Sequence, residues 1–197
     1  MRPNRTTIPL ALAAALLASG CGYQSIPRAE NAVAGAWGEV ENQYQRRADL
    51  VPNLVETVKG YAAHERETLE AVIAARAQAT QVKLSIDQLT PENLKRFEAV
   101  QGELRSALGR LLAVAENYPQ LKANENFRDL QAQLEGTENR IAIARRRYID
   151  QVRQFNDLVT VPPTSWTNSM VYKKQPKAQF TATTQGAEKA PEVRFTK

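Results

Sequence analysis

Residues 127–159 read FRDLQAQLEGTENRIAIARRRYIDQVRQFNDLV, and this stretch decides the fold. Its apolar residues return at alternating steps of three and four, which places them along one face of an α-helix. A helix over the whole stretch would be about 50 Å long, because each residue adds about 1.5 Å. The seam consists of Phe127, Leu130, Leu134, Thr137, Ile141, Ala144, Tyr148, Val152, Phe155 and Val159, and Pro162-Pro163 ends it.

A second helix is predicted between two prolines. Thr90 is a good N-cap, and Pro91 suits the first helical position. Pro119 ends the helix, because a residue before proline is pushed out of helical geometry. Its stripe consists of Leu94, Phe97, Gln101, Leu104, Leu108, Leu111, Ala115 and Tyr118.

The first helical stretch runs from about Ala29 to Ile73. Pro52 interrupts its hydrogen-bond ladder at residue 48, so we expect either a kink or a break capped by Asp49. We favour a continuous helix kinked at Pro52, with Gly60 tolerated inside it. The stripe consists of Val33, Trp37, Val40, Tyr44, Val51, Leu54 or Val55, Val58, Tyr61 or Ala62, Leu69, Val72 and Ile73.

Together the three stretches predict an all-α fold, an antiparallel bundle of three to four long helices. Gly and Pro are scarce between residues 29 and 159, and no segment alternates with period two. A single extended coiled coil is the alternative. The prolines at 91 and 119 argue against it, because they permit the chain to reverse.

The N-terminus has the features of an export signal. Arg2 and Arg5 precede an apolar run from Ile8 to Ala18, which is too short for the roughly 20 residues of a membrane span but suits a secretory signal. Small residues lead to Cys21, the single cysteine, in a pattern that resembles a bacterial lipobox. The alternative is an ordinary cleaved signal with an incidental cysteine.

These features predict four segments. Residues 1–20 are a signal peptide, and 21–28 are a tether lipidated at Cys21. Residues 29–159 form the helical bundle, and 160–197 form a C-terminal extension that is mostly disordered after about residue 175. Trp166, Met170, Val171 and Tyr172 are candidates for docking on the end of the bundle.

The net charge of +5 belongs to the two ends of the chain and not to its body. We therefore expect no nucleic-acid binding. The basic tail either lies near an anionic membrane surface or is simply solvated. Its positive residues are Lys173, Lys174, Lys177, Lys189, Arg194 and Lys197.

Motifs for catalysis and metal binding are missing from the sequence. His64, the only histidine, lies in Ala63-His64-Glu65-Arg66-Glu67, which is not a zinc-binding H-E-x-x-H motif. A lone histidine without a cysteine partner is a poor metal site. We expect no enzyme activity, no metal and no cofactor.

Two polar clusters are the candidate functional residues. They consist of Arg46, Arg47, Asp49 and Asn53 beside Pro52, and of Glu135, Glu138, Asn139 and Arg140 within the 127–159 seam. We expect some of the first cluster to approach the second across the bundle and to supply a donor for the carbonyl freed by Pro52. The alternative is an exposed docking surface for a partner.

Three blocks at these clusters resemble the LemA family. They are residues 46–61 (RRADLVPNLVETVKGY), residues 115–124 (AENYPQLKAN), and residues 130–148, which include Leu134-Glu135-Gly136-Thr137-Glu138-Asn139-Arg140-Ile141. Two features depart from the family: a lipobox replaces the usual apolar membrane segment, and Val161-Pro162-Pro163 with Trp166 replaces an aromatic-rich end.

The resemblance implies an all-helical domain anchored in the cell envelope and facing away from the cytoplasm, without implying a reaction. We expect a non-enzymatic scaffold or adaptor with envelope protein partners and membrane lipid bound through Cys21. The alternative is an accessory factor of a membrane metalloprotease or quality-control system. Gly22, after the lipidated cysteine, favours the outer membrane in a host with two membranes. The sequence predicts no oligomeric state.

Overall fold

The computed structural model describes residues 23–180, which fold as a bundle of helices. Four helices are long: α1 (Ser25–Lys59), α2 (Arg66–Gln81), α3 (Pro91–Ala115) and α5 (Glu125–Thr160). A 3-10 turn at Ile86–Gln88 lies between α2 and α3, and the short helix α4 (Pro119–Ala123) lies between α3 and α5. The short helix α6 (Thr164–Thr167) and a π-helical turn at Asn168–Tyr172 follow α5. This part of the chain contains no strand, so the all-α prediction is confirmed.

The long helices alternate in direction. Arg47 of α1 pairs with Glu138 of α5, whereas Glu39, earlier in α1, pairs with Arg147, later in α5. The two helices therefore run antiparallel, and the N-terminal end of α1 lies beside the C-terminal end of α5. The coiled-coil alternative is wrong, because these contacts require the chain to reverse.

Helices α1 and α5, with 35 and 36 residues, are each about 50 Å long. Helices α2 and α3 are shorter and cover mainly the half of this pair that holds the C-terminal end of α1. This arrangement produces two apolar cores. The four-helix half is built around Val51, Leu54, Val58, Val72, Leu104, Leu111 and Leu134, and the other half around Ile26, Val33, Trp37, Val40, Tyr148, Val152 and Phe155.

The predicted start of α3 and the predicted extent of α5 match the structure, but α3 ends at Ala115, so Tyr118, the last residue of its predicted stripe, lies beyond the helix. The Thr90 hydroxyl accepts a hydrogen bond from the Asn93 backbone nitrogen at 3.2 Å, and Pro91 is the first residue of α3. In α5, the Asn124 side chain accepts from the Phe127 backbone nitrogen at 2.9 Å. These caps satisfy backbone donors that have no partner within the first helical turn.

The first helical stretch differs from its prediction in three respects. Helix α1 continues through Pro52, as expected, but it begins at Ser25, so residues 25–28 are helical and not part of a tether. It ends at Lys59, and Gly60 follows the helix instead of lying within it. Ile73 is 53% exposed, because α2 is a separate helix that turns a different face to the core.

The C-terminal extension is ordered further than predicted. The expectation of disorder after about residue 175 is wrong for residues 175–180, because Phe180 is 6% exposed and packs in the core. Trp166, Met170 and Val171 do not dock on the bundle end but are 61%, 77% and 53% exposed. Only Tyr172 of that group packs there. The predictions for residues 1–22 and 181–197, including the signal peptide and Cys21, lie outside the described residues.

Candidate functional site

Arg47 is the centre of a polar network between α1, α3 and α5. Its side chain is 2% exposed. Nη1 donates to Glu138 Oε1 at 2.8 Å, and Nη2 donates to the Gln101 side-chain oxygen at 2.7 Å and to the Gln101 carbonyl at 3.0 Å. Gln101 in turn donates to the Ala79 carbonyl at 3.1 Å, so the network also reaches α2.

The environment of Arg47 compensates for burying its charge. Glu138 keeps 30% of its side chain exposed, and its second oxygen lies 3.8 Å from Arg105 Nε. The Arg47 guanidinium also lies 5.0 Å from the centre of the Tyr44 ring, a favourable cation–π distance. Its Nε has no hydrogen-bond partner. Removing one member of such a pair would leave the other charge buried and uncompensated. The network therefore holds α1, α3 and α5 in fixed positions relative to one another, and we call such a contact a joint.

A second joint lies where Pro52 interrupts the ladder of α1. Proline has no N–H, so the carbonyl of Ala48 loses its usual helical partner. Arg76 Nε of α2 donates to that carbonyl at 2.8 Å. The donor is therefore an arginine, but one from outside the two predicted clusters.

Of the eight predicted polar residues, Arg47 and Glu138 contact each other. The other six take no part in this contact. Those six are exposed: Arg46, Asp49, Asn53, Glu135, Asn139 and Arg140. Asp49 accepts from Gln45, Glu135 accepts from Gln131, and Arg140 donates to Thr137, all within one helix. The predicted approach of Asp49 to Arg140 is absent.

Sequence reasoning missed Gln101, Arg76 and the pair formed by Arg145 and Glu98. Gln101 carried a signal, because it was the polar member of an otherwise apolar stripe in α3. Arg145 Nη2 donates to Glu98 Oε1 at 2.5 Å. Burial raises the pKa of Glu98, and the charge of Arg145 acts in the opposite direction.

The C-terminal residues Lys174–Phe180 are fastened along the groove between α1 and α5. We call this segment the strap. The Asn156 side chain donates to the Lys177 carbonyl at 3.0 Å and accepts from the Lys177 nitrogen at 2.8 Å. Tyr148 donates its hydroxyl hydrogen to the Ala178 carbonyl at 2.7 Å. These bonds satisfy the backbone of a segment that has no regular secondary structure.

An ion cluster and an aromatic cluster hold the strap at its two ends. Lys174 and Lys177 lie 2.9 and 3.3 Å from the carboxylate of Glu30 in α1. Burial opposes the ionisation of Glu30, but the two lysines outweigh it and lower its pKa. At the other end, Phe180 stacks on Trp37 with ring centres 6.1 Å apart, and the Arg145 guanidinium lies 4.1 Å from the Phe180 centre.

A shallow groove lies beside the Arg47 network, between α1, α2 and α3. Its volume is about 230 Å³, and its lining includes Glu41, Tyr44, Lys83 and Gln101. Ligand pockets usually start near 300 Å³, so the groove is small for an organic ligand. Burial raises the pKa of Glu41, against the opposing effects of the Leu84 backbone and Lys83.

Within residues 23–180, no group of three or more His, Cys, Asp or Glu side chains is placed to hold a metal ion. None of the helices in this range combines the length and apolarity needed to cross a membrane. The network, the Pro52 joint and the strap define a class of protein: a helical bundle whose helices are joined by one buried arginine and by half-buried polar contacts.

The chain belongs to the LemA family. A sequence model of that family matches residues 36–195, which include all four long helices from the middle of α1 onward. The resemblance drawn from the three sequence blocks is thereby confirmed.

Curated relatives agree with this assignment. The chain is 25% identical to Protein LemA of Metamycoplasma hominis over 146 residues, which cover 74% of this chain and 62% of that one. It is 25% identical to the magnetosome protein MamQ of Magnetospirillum gryphiswaldense over 140 residues, covering 62% and 52%. A MamQ protein of Paramagnetospirillum magneticum matches at 26% with the same coverage. The chain thus spans between half and two thirds of the length of these relatives.

Proposed function

We propose that this protein is an envelope lipoprotein, anchored through Cys21, that acts as a non-enzymatic scaffold or adaptor for other envelope proteins. The observation that carries the proposal is the antiparallel pairing of α1 and α5, each about 50 Å long, from one end of the bundle to the other. The anchor precedes α1, so this pair would hold the opposite end of the bundle far from the lipid surface.

The end far from the anchor, which we call the distal tip, consists of residues 60–65 and 116–124. There the first two sequence blocks that resemble LemA meet. The Tyr118 hydroxyl donates to Glu65 Oε1 at 3.0 Å, and the Asn124 side chain donates to the Tyr61 hydroxyl at 3.0 Å. The turn is nevertheless accessible, since Tyr61 remains 42% exposed and Ala63 and His64 are exposed. An ordered, polar and accessible tip is suited to protein contact.

Lipidation is tested first, by replacing Cys21 with Ser. We expect the Cys21→Ser protein to take up no fatty-acid label and to remain as uncleaved precursor, because a hydroxyl cannot replace the thiolate that accepts the lipid. Labelling at the wild-type level would reject the lipoprotein assignment.

Partner binding is tested with a photo-crosslinking amino acid placed at Ala63 in the distal tip. The matched control carries the same group at Ile143, which is 51% exposed in the middle of α5. We expect discrete crosslinked proteins from the tip after irradiation of intact membranes, and few from the control. Equal crosslinking at both positions would contradict an adaptor tip. A membrane metalloprotease dominating the tip products would favour the accessory-factor alternative.

A further inference from the structure

The end of the bundle opposite the distal tip carries a group of exposed apolar side chains. They come from three pieces of chain, namely Tyr23 just before α1, the residue that follows α5, and the α6 and π-helical turns. Their exposed fractions are 60% for Tyr23, 53% for Val161, 61% for Trp166, 77% for Met170 and 53% for Val171. We call these five residues the apolar end patch. Ile73 and Ile143, the comparably exposed isoleucines, lie on the sides of the bundle.

Specific contacts hold the pieces of the patch together. The antiparallel register of α1 and α5 places Tyr23 beside the end of α5. The Tyr172 hydroxyl donates to the Tyr23 carbonyl, and the two rings lie 5.9 Å apart between centres. Asn168 is buried and donates to the Val159 carbonyl at 3.2 Å, which fixes the π-helical turn on the end of α5. The three pieces of chain that carry the patch are therefore bonded to one another.

We propose that the apolar end patch lies in the interfacial layer of the membrane that holds the anchor, so that the bundle stands end-on to the lipid. This inference rests on the proposed lipid anchor. Only Gly22 separates Cys21 from Tyr23, and two residues span at most about 7 Å even when fully extended. A lipid chain on Cys21 would therefore bring Tyr23 and its neighbours to the surface.

The composition of the patch favours lipid over water. Trp and Tyr are enriched at membrane–water interfaces, because their rings are apolar and carry one polar group. Trp166 and Tyr23 would meet the headgroup region, while Met170, Val171 and Val161 are the exposed aliphatic residues beside them. Lys173 follows directly, exposed to solvent, and suits an anionic headgroup. Several exposed apolar residues on one end of a bundle suggest an interaction surface, whereas single ones need no explanation.

The two tryptophans of the chain allow a direct test. Trp166 is 61% exposed in the patch, whereas Trp37 is 3% exposed in the core and serves as an internal control. The full protein is extracted from membranes and reconstituted into vesicles of phosphatidylethanolamine and phosphatidylglycerol, with or without bromine atoms near the headgroup end of the acyl chains. We expect brominated lipid to quench Trp166 and to leave Trp37 unchanged. The Trp166→Phe protein should show no quenching.

Surface variants test whether the patch itself contacts lipid or whether Trp166 merely lies near the membrane. We expect Met170→Ser/Val171→Ser to weaken the quenching of Trp166, and Ile143→Ser to leave it unchanged. All three side chains are exposed, so folding is expected to persist and is checked by circular dichroism. Trp166 emission insensitive to brominated lipid would overturn the inference. A dimer detected by light scattering in detergent, together with a Trp166 that is shielded from solvent, would also overturn it. That result would mean that the patch binds a second copy of the chain.

The same sample distinguishes this inference from the proposed function. Mass spectrometry of the N-terminal peptide reports whether Cys21 carries lipid. Lipidated Cys21 with unquenched Trp166 would overturn end-on contact and leave the anchor intact. Unmodified Cys21 with quenched Trp166 would reject the lipoprotein assignment and support the surface contact.

Discussion

The ion pair between Arg47 and Glu138 gives the sharpest test of how the bundle is held. We consider Arg47→Met and Glu138→Gln, alone and together. Arg47→Met removes three hydrogen bonds and leaves the buried side-chain oxygen of Gln101 without its donor. Removing one partner of a buried pair costs about 3–5 kcal/mol. Because Glu138 is 30% exposed and water can reach it, we expect the lower limit, about 3 kcal/mol.

The Glu138→Gln change keeps an oxygen that accepts from Arg47, whose guanidinium stays charged. It removes the counter-charge of a side chain that is only 2% exposed, so we expect a cost in the same range, about 3 kcal/mol. In the double variant the Glu138 contribution is already lost. The coupling free energy should therefore lie between about 0.5 and 3 kcal/mol, the range for residues in one network.

Asp49 and Arg140 provide the control cycle. Both are exposed, and each is bonded within its own helix, Asp49 to Gln45 at 2.7 Å and Arg140 to Thr137 at 3.0 Å. We expect Asp49→Asn and Arg140→Met to be additive within about 0.5 kcal/mol.

Both cycles are measured by urea unfolding of the detergent-solubilised protein, followed by circular dichroism at neutral pH. The slope of the unfolding free energy against urea concentration must stay constant across variants, so that differences in the unfolding midpoint report differences in stability. The reasoning fails if the Arg47–Glu138 coupling is below about 0.5 kcal/mol, or if the control pair couples equally strongly.

Three further predictions concern the strap and the Pro52 joint. Phe180→Ala should destabilise the protein by about 3 kcal/mol, because a buried aromatic ring is lost, whereas exposed Met170→Ala should change thermal stability little. Arg76→Met should cost about 1–3 kcal/mol in urea unfolding, since it leaves the Ala48 carbonyl without its donor, and a smaller loss than for an exposed arginine would reject that role. The pKa of Glu30 is lower in the folded protein, so the native state binds fewer protons there than the unfolded chain. Its stabilising contribution is present at neutral pH and is lost as the pH falls below about 5. In the Glu30→Gln protein, the free energy of unfolding should therefore fall less steeply as the pH is lowered below about 5. An unchanged pH dependence would contradict the ion cluster of the strap.

Local sequence signals predicted the helices well where one face is buried along their whole length. Nine of the ten predicted seam residues of α5 are buried, with Leu130 partly buried, and Thr90 caps α3 as expected. The same reasoning failed at Gly60, because the apolar spacing continues across the turn between α1 and α2 and conceals it. It also failed at Phe180, an isolated aromatic residue in a polar context, whose burial no periodicity could indicate.

The sequence alone determined the helical periodicity, the proline stops, the lipobox-like cysteine and the family resemblance, because each depends on neighbours within a few turns of chain. Only the tertiary structure decided which donor reaches the Ala48 carbonyl and which of the eight polar candidates meet. Arg76 is 28 residues from Ala48, and Glu138 is 91 residues from Arg47. Such contacts depend on how rigid helices are placed beside one another, and helical spacing fixes the face of a residue but not the partner it meets.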